Sequence, residues 1–161
     1  RVLPRAYVPP RVRVGGARET VLGEMGFETD FGQRAWLEDA ARPTGEQPVE
    51  VENGPGAVTT RRQGNGYVIS ADLTGRAYVV TSITAWRGWR ASSAGRPLPL
   101  AYANHAFVAF DLPAGRHEVR LTYLPGAFVW GRRISLVTLA LIAAWAIARR
   151  YRSRVASIAS P

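Results

Sequence analysis

Residues 107–123 read FVAFDLPAGRHEVRLTY, and this stretch decides the fold. After the Pro113-Ala114-Gly115 corner, Val119, Leu121 and Tyr123 alternate with Glu118, Arg120 and Thr122. Successive side chains of a strand point to opposite faces, so the alternation predicts a strand with one packed and one wet face. Phe107 to Leu112 reads as a second strand, and the corner predicts that the two form an antiparallel hairpin. Upstream, Val49 and Val51 alternate with Glu50 and Glu52, and Val58 to Arg62 is another short strand. Tyr67 to Leu73 and Arg76 to Thr84 follow, flanked by Gly66 and Gly75, and Trp89 to Ser92 and Leu98 to Ala101 complete the set. About eight short strands at this spacing predict an antiparallel β-sandwich or jelly roll. Nearer the start, residues 1–14 read as an extended segment centred on Tyr7 and Val8. Ala17 to Met25 is the one short helix, Arg34 to Glu38 a strand, and Ala41 to Pro48 a polar loop.

Downstream the pattern changes. Ile134 to Ala148 (ISLVTLALIAAWAIA) is 15 residues without a charge, Gly or Pro. At ~1.5 Å per residue it covers about 22 Å, short of a hydrocarbon core of about 30 Å. Extending back to Phe128 reaches about 31 Å and takes in Arg132 and Arg133, whose long side chains can reach the headgroups. Trp130 at one end, with Trp145 and Tyr151 at the other, suit aromatic belts. The RRYRSR tail that follows argues against a buried helix of a soluble domain. A sortase-type wall anchor is excluded because Leu124-Pro125 is followed by Gly126-Ala127 rather than by Thr-Gly. The expected organisation is an extracytoplasmic β-domain over 1–126, a transmembrane helix over 127–148 and a basic cytoplasmic tail over 149–161. The first residue is Arg rather than Met, which suggests a fragment or a processed product.

The net charge of +9 belongs to the same picture. Residues 1–131 hold 15 Arg and all 12 acidic residues, while the other six Arg flank the apolar run. A nucleic-acid binder concentrates its charge on a folded face, so no nucleic-acid partner is expected; the bilayer is. The absence of Cys removes disulfides and thiolate chemistry.

No residue pattern points to catalysis, a cofactor or a metal. His105 and His117 have no acidic residue near them at metal-ligand spacing. Glu50 and Glu52 share a strand face, which alternation with Val makes a solvated one. Gly64-Asn65-Gly66 is a turn rather than a phosphate loop. The aromatic cluster is more informative: Trp86, Trp89, Tyr102 and Phe107 lie among Arg87, Arg90, Asn104 and His105. Aromatic rings stack on sugar C–H faces while neighbouring polar groups bond hydroxyls, so Trp86, Trp89, Arg90, Tyr102, Asn104 and His105 are candidate glycan-binding residues. The competing reading is that these aromatics fill the sandwich core.

The stretch AWRGWRASSAGRPLPLAYANHAFVAFDLPAGRHEVRLTYLP, 85–125, followed directly by the last helix, resembles the C-terminal region of the YfhO family of bacterial membrane proteins. The resemblance rests on Trp86-Arg87-Gly88-Trp89-Arg90, Gly95-Arg96-Pro97, Asn104 to Phe107 and Pro113 to His117, with Leu3 to Val8 matching the opening of the region. Arg87 stands where the family usually has Pro, and Ala94 where an Asp commonly precedes the Gly. The resemblance implies a polytopic C-type glycosyltransferase that takes sugar from a polyprenyl-phosphate donor outside the plasma membrane, in some members to glycosylate cell-envelope polymers such as teichoic acids. It places the acidic catalytic residues in loops between N-terminal membrane helices that this stretch does not contain. The expected role here is therefore accessory, positioning a cell-envelope glycan acceptor or bracing the remaining transmembrane helices. The alternatives are a structural extracytoplasmic domain without a ligand, or a free-standing single-span surface protein.

Overall fold

The computed structural model describes residues 3–15, 18–28, 30–38 and 48–158. The loop expected over 41–48 lies outside them except for Pro48. Among the described residues, twelve strands and one short helix precede the terminal helix: β1 (Ala6–Tyr7), β2 (Arg11–Val14), α1 (Arg18–Met25), β3 (Arg34–Glu38), β4 (Val49–Glu52), β5 (Gly56–Gln63), β6 (Gly66–Leu73), β7 (Ala77–Thr84), β8 (Trp89–Ser93), β9 (Arg96–Leu98), β10 (Ala101–Ala103), β11 (Phe107–Leu112), β12 (Gly115–Tyr123) and α2 (Gly126–Ile158). The mainly β, antiparallel class expected from the sequence holds, with β2 and β3 the one parallel pair among the described strands.

Two sheets form. One has seven strands in the order β1-β7-β11-β10-β3-β2-β4, the other five in the order β5-β6-β12-β8-β9. The main core lies between them: Val79, Ile83, Val108, Phe110 and Leu112 of the first meet Ile69, Leu73, Ala91, Val119 and Leu121 of the second. On β12, Val119 and Leu121 are buried while Glu118, Arg120 and Thr122 are exposed, as the alternation requires.

The expected hairpin over 107–123 is corrected. β11 pairs with β7 and β10, whereas β12 pairs with β6 and β8, so Pro113-Ala114 carries the chain from one sheet to the other. The physical reason is in the burial. Val108, Phe110 and Leu112 face the inter-sheet core, and Ala109 is fully buried in a second cluster on the opposite face. β11 buries residues on both faces, whereas β12 keeps its Glu118-Arg120-Thr122 face in water, and the two take places in different sheets. The strand expected over Leu98 to Ala101 also splits, into β9 and β10 in different sheets. Pro97 and Pro99 lack the N–H that a continuous ladder would need. The extended segment over 1–14 likewise divides, at Pro9-Pro10, into β1 and β2.

That division shows that the seven-stranded sheet is rolled. β1 and β2 stand five places apart in the strand order, about 24 Å in a flat sheet. Only Val8-Pro9-Pro10 joins them, and the four Cα steps from Tyr7 to Arg11 reach at most about 15 Å. The sheet must curl until its edges meet, and the hydrogen bonds show where. β1 covers only Val80 and Thr81 of β7. Further along that edge, the Gly54 N–H donates to the Arg76 carbonyl at 3.1 Å. The Asn53 carboxamide accepts from the Tyr78 N–H at 2.9 Å and donates to the Tyr78 and Pro9 carbonyls at 3.2 and 2.6 Å. Inside the roll lies the second cluster, Val12, Val14, Ala35, Leu37, Val80, Ala103 and Ala109, whose small members permit the tight curvature. Helix α1 lies at β3, where Glu24 pairs with Arg13 at 2.9 Å and accepts from the Trp36 indole at 3.0 Å.

Two turns account for the positions that depart from the family pattern. Ala94 and Gly95 join β8 to β9 with φ of 48° and 76°, and two successive positive values are what a type I′ hairpin turn needs. A Cβ is costly there, and Asp or Asn before Gly is preferred. Trp86 to Trp89 turns with Gly88 at φ 117°, which suits a type II turn whose second residue, Arg87, is the favoured place for Pro. Ala94→Asn is therefore expected to stabilise the domain by about 1 kcal/mol. A urea midpoint at or below that of the unsubstituted chain would contradict this.

Contacts divide the chain after Tyr123, and α2 belongs to the second unit. Gly126–Arg149 is 24 residues long and apolar enough to cross a membrane, and none of it is buried. Leu139, Ile142 and Trp145 are all more than half exposed, so the described residues leave this apolar surface uncovered. Arg133 sits over Trp130 at 5.3 Å and Arg149 over Trp145 at 5.4 Å, which brackets the charge-free run with two interfacial pairs. The helix itself continues to Ile158.

Candidate functional site

The six residues singled out in the sequence fall into two sets, one on each sheet. Trp89 opens β8 half-buried, with its ring 5.0 Å from that of Tyr123 and 6.2 Å from that of Tyr67. Its indole N–H donates to the Thr84 carbonyl at 3.0 Å. It packs, partly buried, against the inter-sheet core. Trp86, in the preceding turn, is 69% exposed. Arg90 is exposed on the outer face of β8, with no acidic partner at ion-pair distance among the described residues.

The second set belongs to the β10–β11 turn. Asn104 and His105 have φ of 46° and 63°, and the Ala106 N–H donates to the Ala103 carbonyl at 3.1 Å, again the type I′ pattern. Asn104 is buried. Its N–H donates to the Trp36 carbonyl at 2.7 Å and its side-chain oxygen accepts from the Trp36 N–H at 3.0 Å, which ties β10 to β3. It also bonds the Tyr7 phenol, whose pKa burial pushes up against that hydrogen bond. His105 Nδ1 lies 2.8 Å from Glu38 Oε1, an acidic neighbour that sequence spacing hid because the two are 67 positions apart. Tyr102 is partly exposed, opposite Glu38 and Val108. The Asn104 and His105 side chains are engaged within the fold.

Beside Trp89 the first set opens onto a groove of about 680 Å³ lined by Trp89, Arg90, Ser92, Pro97, Arg120 and Thr122. Register builds it. Arg90 stands opposite Thr122 and Ser92 opposite Arg120, so two guanidinium groups and two hydroxyls share the outer face of β8 and β12. Glu118 holds Arg120 at 3.2 Å. Sequence reasoning missed Ser92, Arg120 and Thr122. Alternation put Arg120 and Thr122 on the wet face, but nothing local to either strand sets β8 beside β12. Chemically the groove offers donors next to an aromatic edge, which suits binding of a hydroxyl-rich or anionic ligand rather than bond-making.

Residues 50–135 match the family described as bacterial membrane protein YfhO, a stretch running from β4 through β12 into α2. Over 86 residues the chain is 31% identical to the "Uncharacterized protein YfhO" of Bacillus subtilis (strain 168), which covers 53% of this chain and 10% of that protein. The matched part thus spans about a tenth of the relative's length. No solved structure matches. The family and the terminal helix together fit a membrane location. The chain belongs to the YfhO family of bacterial membrane proteins.

Proposed function

We propose that this chain is the C-terminal accessory domain and last membrane helix of a YfhO-type glycosyltransferase that uses a polyprenyl-phosphate sugar. Residues 1–126 lie outside the plasma membrane, 127–148 span it and 149–161 are cytoplasmic. The domain positions a cell-envelope glycan for transfer by the rest of the parent protein. The observation that carries this reading is the groove beside Trp89, where Arg90, Ser92, Arg120 and Thr122 present donors along an aromatic edge. The chain reconstituted in nanodiscs should bind cell-envelope oligosaccharides. Arg90→Ala should weaken that binding about tenfold, the loss of a charge-assisted hydrogen bond. Undiminished affinity in the variant would remove the groove from the reading. The second reading, a ligand-free structural domain, is favoured by one observation: Asn104, His105 and the Trp89 indole are already hydrogen-bonded within the protein. Absence of any glycan binding by the unsubstituted chain would select it.

A further inference from the structure

The five-stranded sheet has two unlike ends. At the end where β12 finishes lie the β5–β6 turn, the Ala85–Gly88 loop and the start of β8. This end carries Tyr67, Trp86, Trp89 and Tyr123, with Arg61, Arg62, Arg87 and Arg90 exposed around them. Residues 61–67 and 85–91 contain no acidic side chain. Arg5 adds a further cation, 5.8 Å over the Tyr67 ring. At the opposite end, residues 54–58, 71–76, 92–97 and 113–118 contain no Phe, Trp or Tyr. There Arg116 is paired with Asp72 at 3.0 Å and Arg76 with Asp111.

We propose that the Tyr123 end of this sheet is a docking surface for the lipid headgroup layer, with Trp86 set into the interface. Three features select a bilayer over other partners. Indole and phenol rings have an apolar body and a polar tip, and they partition to the headgroup level; Trp86, the most exposed of these rings, has no ring partner among the described residues. Arginines without acidic neighbours match lipid phosphates, which they bind in a forked geometry. Finally, the chain holds this end near a membrane. Only Leu124 and Pro125 separate Tyr123 from Gly126 of the spanning helix, and three Cα steps reach at most about 11 Å. Tyr123, the last residue of β12, is therefore tethered within that distance of the start of the spanning helix. Trp89 and Arg90 belong to both this end and the groove, but Trp86 and Gln63 do not line the groove, so labels at 86 and 63 report on docking whether or not a glycan binds.

The chain has no cysteine, which makes the test direct. Trp86→Cys and, as a second reporter in the β5–β6 hairpin, Gln63→Cys are labelled with an environment-sensitive fluorophore. Ala57→Cys, exposed near the opposite end, serves as the reference. The full chain is reconstituted in phosphatidylglycerol–phosphatidylethanolamine vesicles and quenched in turn by headgroup-level spin-labelled lipid and by aqueous iodide. Labels at 86 and 63 are expected to be quenched about threefold more by lipid than the label at 57, and correspondingly less by iodide. Equal lipid quenching at all three positions would overturn the proposal. So would protection of position 86 from both quenchers, which is the signature of a protein partner.

Discussion

Replacing Gly66 with alanine is expected to remove about 3 kcal/mol of the domain's stability, a severe loss for one methyl group. A Cβ on Gly66 would lie 2.0 Å from the Leu121 carbonyl oxygen and 3.0 Å from Leu121 C and Thr122 Cα. All three atoms are backbone of β12, the central strand of the five-stranded sheet, so no side chain can rotate away. Relief requires parting β6 from β12 at the Tyr67–Leu121 and Gly66–Thr122 pairs. The entropic gain of alanine over glycine in the unfolded chain, about 0.4–1 kcal/mol, is too small to offset that. Gly64, two residues earlier, is the internal comparison. It has φ 55° and open space around its Cβ position, so Gly64→Ala meets backbone strain alone and should cost about 1 kcal/mol. Urea unfolding of the full chain in detergent micelles, followed by near-ultraviolet circular dichroism, gives both values. A Gly66→Ala midpoint above that of Gly64→Ala would refute the close approach.

That pair also marks what the sequence could disclose. Gly64-Asn65-Gly66 reads as a turn, and it is one, but its letters do not say that one glycine is a matter of φ and the other of contact. Contact with Leu121 lies 55 positions away. The wet face of β12 was legible because its alternation is local and only one side is packed. β11 misled for the complementary reason: FVAFDL carries apolar residues on both faces, Asp111 being its one polar residue, and periodicity cannot say which second surface covers it. The same holds for the site. Trp89 and Arg90 could be found by composition, whereas the groove beside them exists only because β8 pairs with β12 in one register. The terminal helix needed no partner to be recognised, since its composition alone fits lipid.

The closure of the rolled sheet leads to the second large effect. Asn53→Ala is expected to cost about 3 kcal/mol, because it removes three hydrogen bonds of about 1 kcal/mol each and leaves the Tyr78 N–H without its acceptor. Asn53→Asp separates donor from acceptor. The carboxylate can still accept from the Tyr78 N–H, but its other oxygen is set against the Pro9 and Tyr78 carbonyls, where the native NH₂ donates. A protonated carboxyl can donate to one of them, so folding favours the neutral form and raises the folded-state pKa above the unfolded value of about 3.9. The sign follows from linkage. The stabilisation is fully present below the unfolded pKa and is lost as pH rises through the folded one. Asn53→Asp should therefore approach the unsubstituted chain in stability at low pH and fall away toward neutrality, while Asn53→Ala shows no such recovery. Hydrogen exchange should quicken in β1, β2 and the Arg76–Tyr78 edge of β7 in both variants, with α2 unchanged. Uniform exchange through both sheets would mean that Asn53 contributes to general stability rather than to closing the roll.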